Sequence, residues 1–146
     1  MSQWNFEHHV SALIVASPGR MRDGLKALLR NVPRIKTIFQ ANDSASSLQI
    51  LAQQHPALVL LDSKIIHTDI RMTLKRIKAV SPQTRCIVLA DTFEHQWMAR
   101  VAGADSVLLA GYSAEMLFAT VEGILSWPDT QTPSANSRQL RGKNEI

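Results

Sequence analysis

The sequence is poor in cysteine and in aromatic residues, and it has no long apolar run. Its one cysteine, Cys86, cannot form an internal disulfide and cannot build a zinc site alone. No stretch reaches the roughly 18 consecutive apolar residues that a transmembrane helix needs. The N-terminus lacks the basic segment followed by an apolar one that marks a secretory signal. We therefore expect a cytoplasmic protein that does not enter a membrane.

The residues that would support catalysis or nucleic-acid binding are also missing. The net charge of +4 is spread along the chain, whereas nucleic-acid binding needs a focused basic patch. The glycines match no phosphate-binding loop, and no two histidines have the i, i+4 spacing of a metal-binding helix. No nucleophile can be paired with a base. We predict that the chain is not an enzyme, holds no metal and binds no nucleic acid by itself.

What the sequence does have is a regular alternation of short apolar runs and longer amphipathic segments. The runs are nearly continuous in apolar residues, which is typical of strands buried on both faces. The segments between them have helical periodicity, and Asp43 or Ser44, Asp69 and Ser113 are suitable N-caps. The apolar runs are residues 11–17, 37–41, 57–61, 86–90 and 106–111. This pattern predicts an α/β fold, a doubly wound parallel sheet of five strands, but leaves the strand order open.

The composition changes near both ends of the chain. After Trp127 the residues are polar, with Leu140 as an isolated leucine, and such a segment cannot bury an apolar face. We predict one domain over residues 8–127, a flexible lead over residues 1–7 and a polar tail or linker over residues 128–146.

Four fragments together resemble the receiver domain of bacterial two-component response regulators. They are SALIVAS with PGRMRDGLKALL, ALVLLDSKIIHTDI, CIVLADT and GADSVLLAGYSAEML, and the likeness extends over about 115 residues. It is closest to receivers attached to a LuxR-type helix-turn-helix. The resemblance implies a flavodoxin-like sheet with the strand order 2-1-3-4-5.

The resemblance also assigns positions around a phosphoryl-transfer site. Asp62 stands at the position of the phospho-accepting aspartate. The two acids that hold Mg²⁺ are replaced by Ala16 and Ser17. The hydroxyl residue after the fourth strand is replaced by Ala90, and the lysine after the fifth is replaced by Ala110.

Two further positions bear on switching. The aromatic residue that reorients on activation in the family is replaced by Val107. Asp91 follows the fourth strand directly, and its residue type favours a loop-capping role.

These replacements favour a degenerate receiver, or pseudo-receiver, that acts as a phosphorylation-independent signalling and protein-interaction module. Mg²⁺ requires near-octahedral oxygen ligation, so one carboxylate is a poor site and we expect metal binding to be lost. The alternative is an atypical receiver that still accepts a phosphoryl group from a histidine kinase on Asp62.

The resemblance further implies where a partner binds. Receivers commonly use the face of the fourth helix, fifth strand and fifth helix, either for a protein partner or for a homodimer. Here the large residues of that face are Trp97, Met98, Phe118 and Trp127. The LuxR-type likeness implies a transcription regulator, and no helix-turn-helix follows the receiver-like part within these residues.

Overall fold

The computed structural model describes residues 9–66 and 69–126, in which strands and helices alternate. Strands β1 to β5 are Val10–Val15, Ile35–Ala41, Leu58–Asp62, Arg85–Ala90 and Ser106–Leu109. Helices α1 to α5 are Arg20–Arg30, Ser44–Gln54, Ile70–Val80, Phe93–Val101 and Ala114–Leu125. A single 3₁₀ turn, Ser63–Ile65, follows β3. The predicted lead and tail lie outside the described residues.

The strands form one parallel sheet in the order β2-β1-β3-β4-β5. This confirms the doubly wound α/β prediction and the strand order that the resemblance implied. β3 lies at the centre, so its carboxyl end is flanked by the ends of β1 and β4. Ligand sites of open α/β sheets lie at this edge.

Both faces of the sheet are covered, which explains why the strands are continuously apolar. Successive strand residues point to opposite faces. Ala12 and Ile14 pack on the side of α1 and α5, whereas Leu13 and Val15 pack on the side of α2, α3 and α4. All four side chains are completely buried.

Three of the five helices begin at N-caps that the sequence predicts. Asp43, Asp69 and Ser113 each accept a hydrogen bond from a backbone N–H in the first turn of their helix. Each cap satisfies an N–H group that has no partner within the helix. In the described part of the chain, no helix is both long and apolar enough to cross a membrane.

Candidate functional site

Asp62 is the last residue of β3 and lies at the centre of the sheet's carboxyl edge. Its side chain is buried, with 5% relative exposure. Oδ1 accepts a hydrogen bond of 3.0 Å from the backbone N–H of Lys64 and so caps the 3₁₀ turn. No group in residues 9–66 and 69–126 donates a hydrogen bond to Oδ2.

The structure places the predicted site positions at the same edge of the sheet as Asp62. Ala16 follows Val15, which pairs with Leu61, so Ala16 lies beside Asp62 at the end of the neighbouring strand. Ala90 is the last residue of β4, and the N–H of Ala110 donates to its carbonyl oxygen. Ala16 and Ala90 are buried, whereas Ser17 and Ala110 are exposed. None of these four side chains carries a charge.

A cation that sequence reasoning missed lies at the ends of β1 and β2. Nη1 of Arg22, on α1, donates to the carbonyl oxygen of Ala16 at 3.2 Å and to Oδ1 of Asn42 at 2.5 Å. Its Nε is buried without a hydrogen-bond partner. The guanidinium group therefore lies beside the position that the resemblance assigns to a metal-binding acid. The contact depends on how α1 crosses the sheet, so no local signal predicts it.

Three polar side chains form a hydrogen-bonded group next to Asp62. Ser63 Oγ donates to Asp91 Oδ1 at 2.9 Å and accepts from the Asp91 backbone N–H at 3.1 Å. His95 Nδ1, from α4, lies 2.8 Å from Asp91 Oδ1 and 3.1 Å from Ser63 Oγ. The hydrogen bonds with His95 and then with Ser63 hold the pKa of Asp91 below its ordinary value.

The side chain of Asp91 makes its hydrogen bonds within this group. It does not cap the helix that follows, because Thr92 Oγ1 accepts the hydrogen bond from the backbone N–H of His95. Instead, Asp91 joins the end of β4 to the turn after β3. The i, i+4 spacing of Asp91 and His95 is the signal that could have indicated this contact.

Tyr112 approaches the site from the loop between β5 and α5. Its pKa is raised by burial first and by the negative charge of Asp62 second, so its hydroxyl remains protonated. The preceding Gly111 has a φ of 103°, a conformation that favours glycine. The ring of Tyr112 packs against the core on the side of α1 and α5.

Two other residues considered in the sequence analysis, Val107 and Cys86, pack against or within the core. Val107 is half-buried on β5 and packs against the core on the side of α2, α3 and α4. Cys86 is buried in β4, and burial raises the pKa of its thiol to about 12. The thiol is therefore protonated at neutral pH and is a poor nucleophile.

The interaction candidates differ in exposure. Trp97 is exposed, as predicted for a contact residue. Met98 and Phe118 are half-buried and pack against the two core layers. Each of these two side chains therefore exposes less of its apolar surface than Trp97 does. Trp127 lies outside the described residues.

Comparison with known proteins supports the assignment of the fold. No protein-family model matches the sequence. The Fimbriae Z protein of Salmonella typhimurium is 27% identical over 118 residues, which cover 80% of this chain and 56% of that protein. This chain thus spans little more than half the length of that relative.

Two solved structures have the same architecture. A LuxR-family two-component response regulator from Aurantimonas sp. SI85-9A1 matches with a TM-score of 0.72 and 17% identity, over 81% of this chain and 86% of that one. A CheY-like response regulator receiver domain from Methanospirillum hungatei matches with a TM-score of 0.69 and 18% identity, over 80% and 94%. The predicted receiver fold is confirmed.

Proposed function

We propose that this chain, which has the fold of response-regulator receiver domains, is a pseudo-receiver that acts as a phosphorylation-independent protein-interaction module. One observation carries the proposal. Asp62 lies at the expected phospho-acceptor position, but the four positions around it that the family uses for charge and hydroxyl contacts hold Ala16, Ser17, Ala90 and Ala110. The module is then a signalling element and not an enzyme.

The residues present do not fit a Mg²⁺ ion. Asp62 supplies one carboxylate, and its Oδ1 already accepts the Lys64 N–H. The Asp91 carboxylate is engaged by Ser63 and His95. Arg22 places a positive charge beside Ala16, which disfavours a divalent cation there. Near-octahedral oxygen ligation is not available from this set.

Phosphoryl transfer to Asp62 also lacks electrostatic support. The reaction depends on positive or hydrogen-bonding groups that stabilise charge on the transferred phosphoryl group. The loss of one preorganised contact costs about 3 kcal/mol, or roughly 100-fold in rate, so several losses slow transfer by orders of magnitude. We expect no stable phosphorylation of Asp62.

Treatment with a phosphoryl donor tests this proposal. The protein is incubated with acetyl phosphate and Mg²⁺, and separately with beryllofluoride and Mg²⁺, then measured by intact mass and by NMR. We expect no added mass and no chemical-shift change at Asp62. The positive control is Ser17→Asp with Ala110→Lys, which restores an acid and the lysine at two exposed positions and should gain a response.

The alternative, an atypical but phosphorylatable receiver, has one observation in its favour. Oδ2 of Asp62 accepts no hydrogen bond within the described part of the chain, so a carboxylate oxygen is available for attack. An adduct that forms on the natural protein and is absent from Asp62→Asn would establish this alternative and refute the pseudo-receiver.

A constitutive surface follows from the same proposal. With Val107 at the switch position and no hydroxyl at Ala90, no element links phosphorylation to the face of α4, β5 and α5. Binding to a protein partner or a second copy would then be independent of phosphoryl donors. Because the likeness is to LuxR-type regulators, we further propose that the module acts in transcription regulation in the cytoplasm.

A further inference from the structure

Within residues 9–66 and 69–126, the two largest exposed apolar side chains, Phe93 and Trp97, lie on α4. Phe93, Trp97 and Val101 have relative exposures of 76%, 62% and 57%. They occupy positions i, i+4 and i+8 of one helix, so they form a continuous row about 12 Å long. The buried Ala99 lies on the opposite side of α4. We call Phe93, Trp97 and Val101 the α4 ridge.

A basic row on α3 lies beside the α4 ridge. α3 and α4 pack against each other. Arg71, Lys75 and Lys78 share one side of α3, and Lys78 Nζ reaches Asp105, which follows α4, at 3.0 Å. The row therefore lies on the side of α3 that faces α4.

The balance of charge around the α4 ridge is positive. The exposed or half-buried basic side chains are Arg71, Lys75, Arg76, Lys78 and Arg100, and the acidic ones are Asp69, Asp91, Glu94 and Asp105. Asp91 contacts His95, and Asp105 is paired with Lys78, whereas Arg100 has no ion pair with any described residue. Arg71 is paired with Asp69 at 3.0 Å. Lys75 and Arg76 have no ion pair with any described residue. An apolar row flanked by unpaired positive charge is complementary to an acidic amphipathic surface.

We propose that the α4 ridge and the basic face of α3 bind an acidic amphipathic helix of a partner protein. A row of i±4 side chains is the ridge that packs into the groove of another helix. Acidic residues at the border of that helix would face Lys75, on the side of α3 next to α4, and Arg100, which follows Trp97 by one helical turn. The inference rests on the proposed function, because it names the partner of a surface that requires no phosphorylation.

The same charges disfavour a second copy of this chain as the occupant. A symmetric contact through the α4 ridge would bring two positively charged borders together. The chain as a whole also carries a net charge of +4. Like charges in opposition reduce association, so a partner of opposite charge fits this surface better.

The test uses the ¹⁵N-labelled full chain and two synthetic peptides of about 18 residues. One carries leucine at i, i+3, i+4 and i+7 with glutamate at its borders, and the other replaces each glutamate by lysine. We expect the acidic peptide to shift the NMR signals of α3 and α4, and the basic peptide to leave them unchanged. Salt should weaken the acidic complex.

Substitutions then identify the residues responsible. Trp97→Ala should lower the affinity for the acidic peptide by at least about tenfold, because an exposed aromatic anchor contributes much of the binding energy of such contacts. Lys75→Glu should lower this affinity by about twofold to fivefold. The matched controls are Met116→Ala, an exposed apolar residue on α5, and Lys36→Glu, an exposed lysine on β2. Both should bind as the natural protein does, and Phe93→Ser provides a second ridge variant.

Several results would contradict the proposed binding surface. Equal binding by Trp97→Ala, Phe93→Ser and the natural protein, equal binding of the basic peptide, or absence of binding would overturn the inference. So would signal shifts in α3 and α4 caused only by duplex DNA or by anionic phospholipid vesicles. If the acidic peptide binds only after acetyl phosphate treatment, the α4 ridge is supported as the binding surface, and the phosphorylation-independent function is refuted.

Discussion

At the scale of single residues, Asp62 stands at the phospho-acceptor position of receivers and also accepts a hydrogen bond that holds the turn after β3. Its Oδ1 accepts the backbone N–H of Lys64 in a partly buried environment. An N–H shielded from water that loses its acceptor costs free energy. The residue therefore contributes to stability whether or not it accepts a phosphoryl group.

We predict different effects for two substitutions at this position. Asp62→Ala removes the acceptor of the Lys64 N–H and should lower the free energy of unfolding by about 1–2 kcal/mol. Asp62→Asn retains an oxygen acceptor and should cost less than about 1 kcal/mol. Urea denaturation of both variants measures this difference. Equal losses for the two would show that the hydrogen bond to Lys64 is not what Asp62 contributes.

At the scale of elements, the first turn of α4 is tied to the turn after β3. His95, on α4, contacts Asp91 and Ser63, which follow β4 and β3. The hydrogen-bonded pair of Asp91 and His95 is partly exposed, with a relative side-chain exposure of 33% for each partner. Such a pair contributes modestly to stability, but it connects the helix of the α4 ridge to the site edge.

The pKa of Asp91 gives this contact a pH dependence with a definite sign. That pKa is lowered from an ordinary value of 3.8, first by His95 and then by Ser63. The stability that results is complete above the ordinary value and is lost as the pH falls through the lowered value. Below about pH 4, the natural protein should therefore lose more free energy of unfolding than Asp91→Asn, by less than about 1 kcal/mol.

Denaturant titrations of both proteins between about pH 2 and pH 6 measure this difference. His95→Gln serves as the second variant, because it removes the imidazole that contacts Asp91 and leaves Asp91 in place. Parallel profiles for the natural protein and Asp91→Asn would contradict the assignment of the lowered pKa to this contact.

At the scale of the whole molecule, the proposed loss of Mg²⁺ binding has a consequence for stability. Among the described residues, no three histidine, cysteine, aspartate or glutamate side chains lie close enough to hold a metal ion. A ligand that binds only the folded state raises its stability in proportion to the logarithm of ligand concentration. Thermal unfolding therefore reports directly on the proposed loss of Mg²⁺ binding.

We predict that about 10 mM Mg²⁺ leaves Tm unchanged, because a ligand without affinity for the folded state shifts no equilibrium. Differential scanning calorimetry with Mg²⁺, and with Na⁺ at equal ionic strength, measures this. A rise in Tm that is specific to Mg²⁺ and absent from Asp62→Asn would show that the site still binds the metal.

Local patterns were sufficient to predict the elements of this fold. The apolar runs and the caps at Asp43, Asp69 and Ser113 depend on residues within a few positions of one another, so the sequence reveals them directly. Strand order required the family resemblance, because periodicity does not distinguish one parallel arrangement from another. The alignment of Asp62 with Ala16 then follows from that order.

The sequence by itself thus determined the α/β class, the helix starts and the residues available at the strand ends. Only the tertiary structure decided which of them meet, since the contacts of Arg22 with Asn42 and of His95 with Ser63 join elements far apart in the chain. Exposure was decided in the same way. Phe118 packs on the core whereas Trp97 faces solvent, because burial depends on which neighbouring elements cover each helix face.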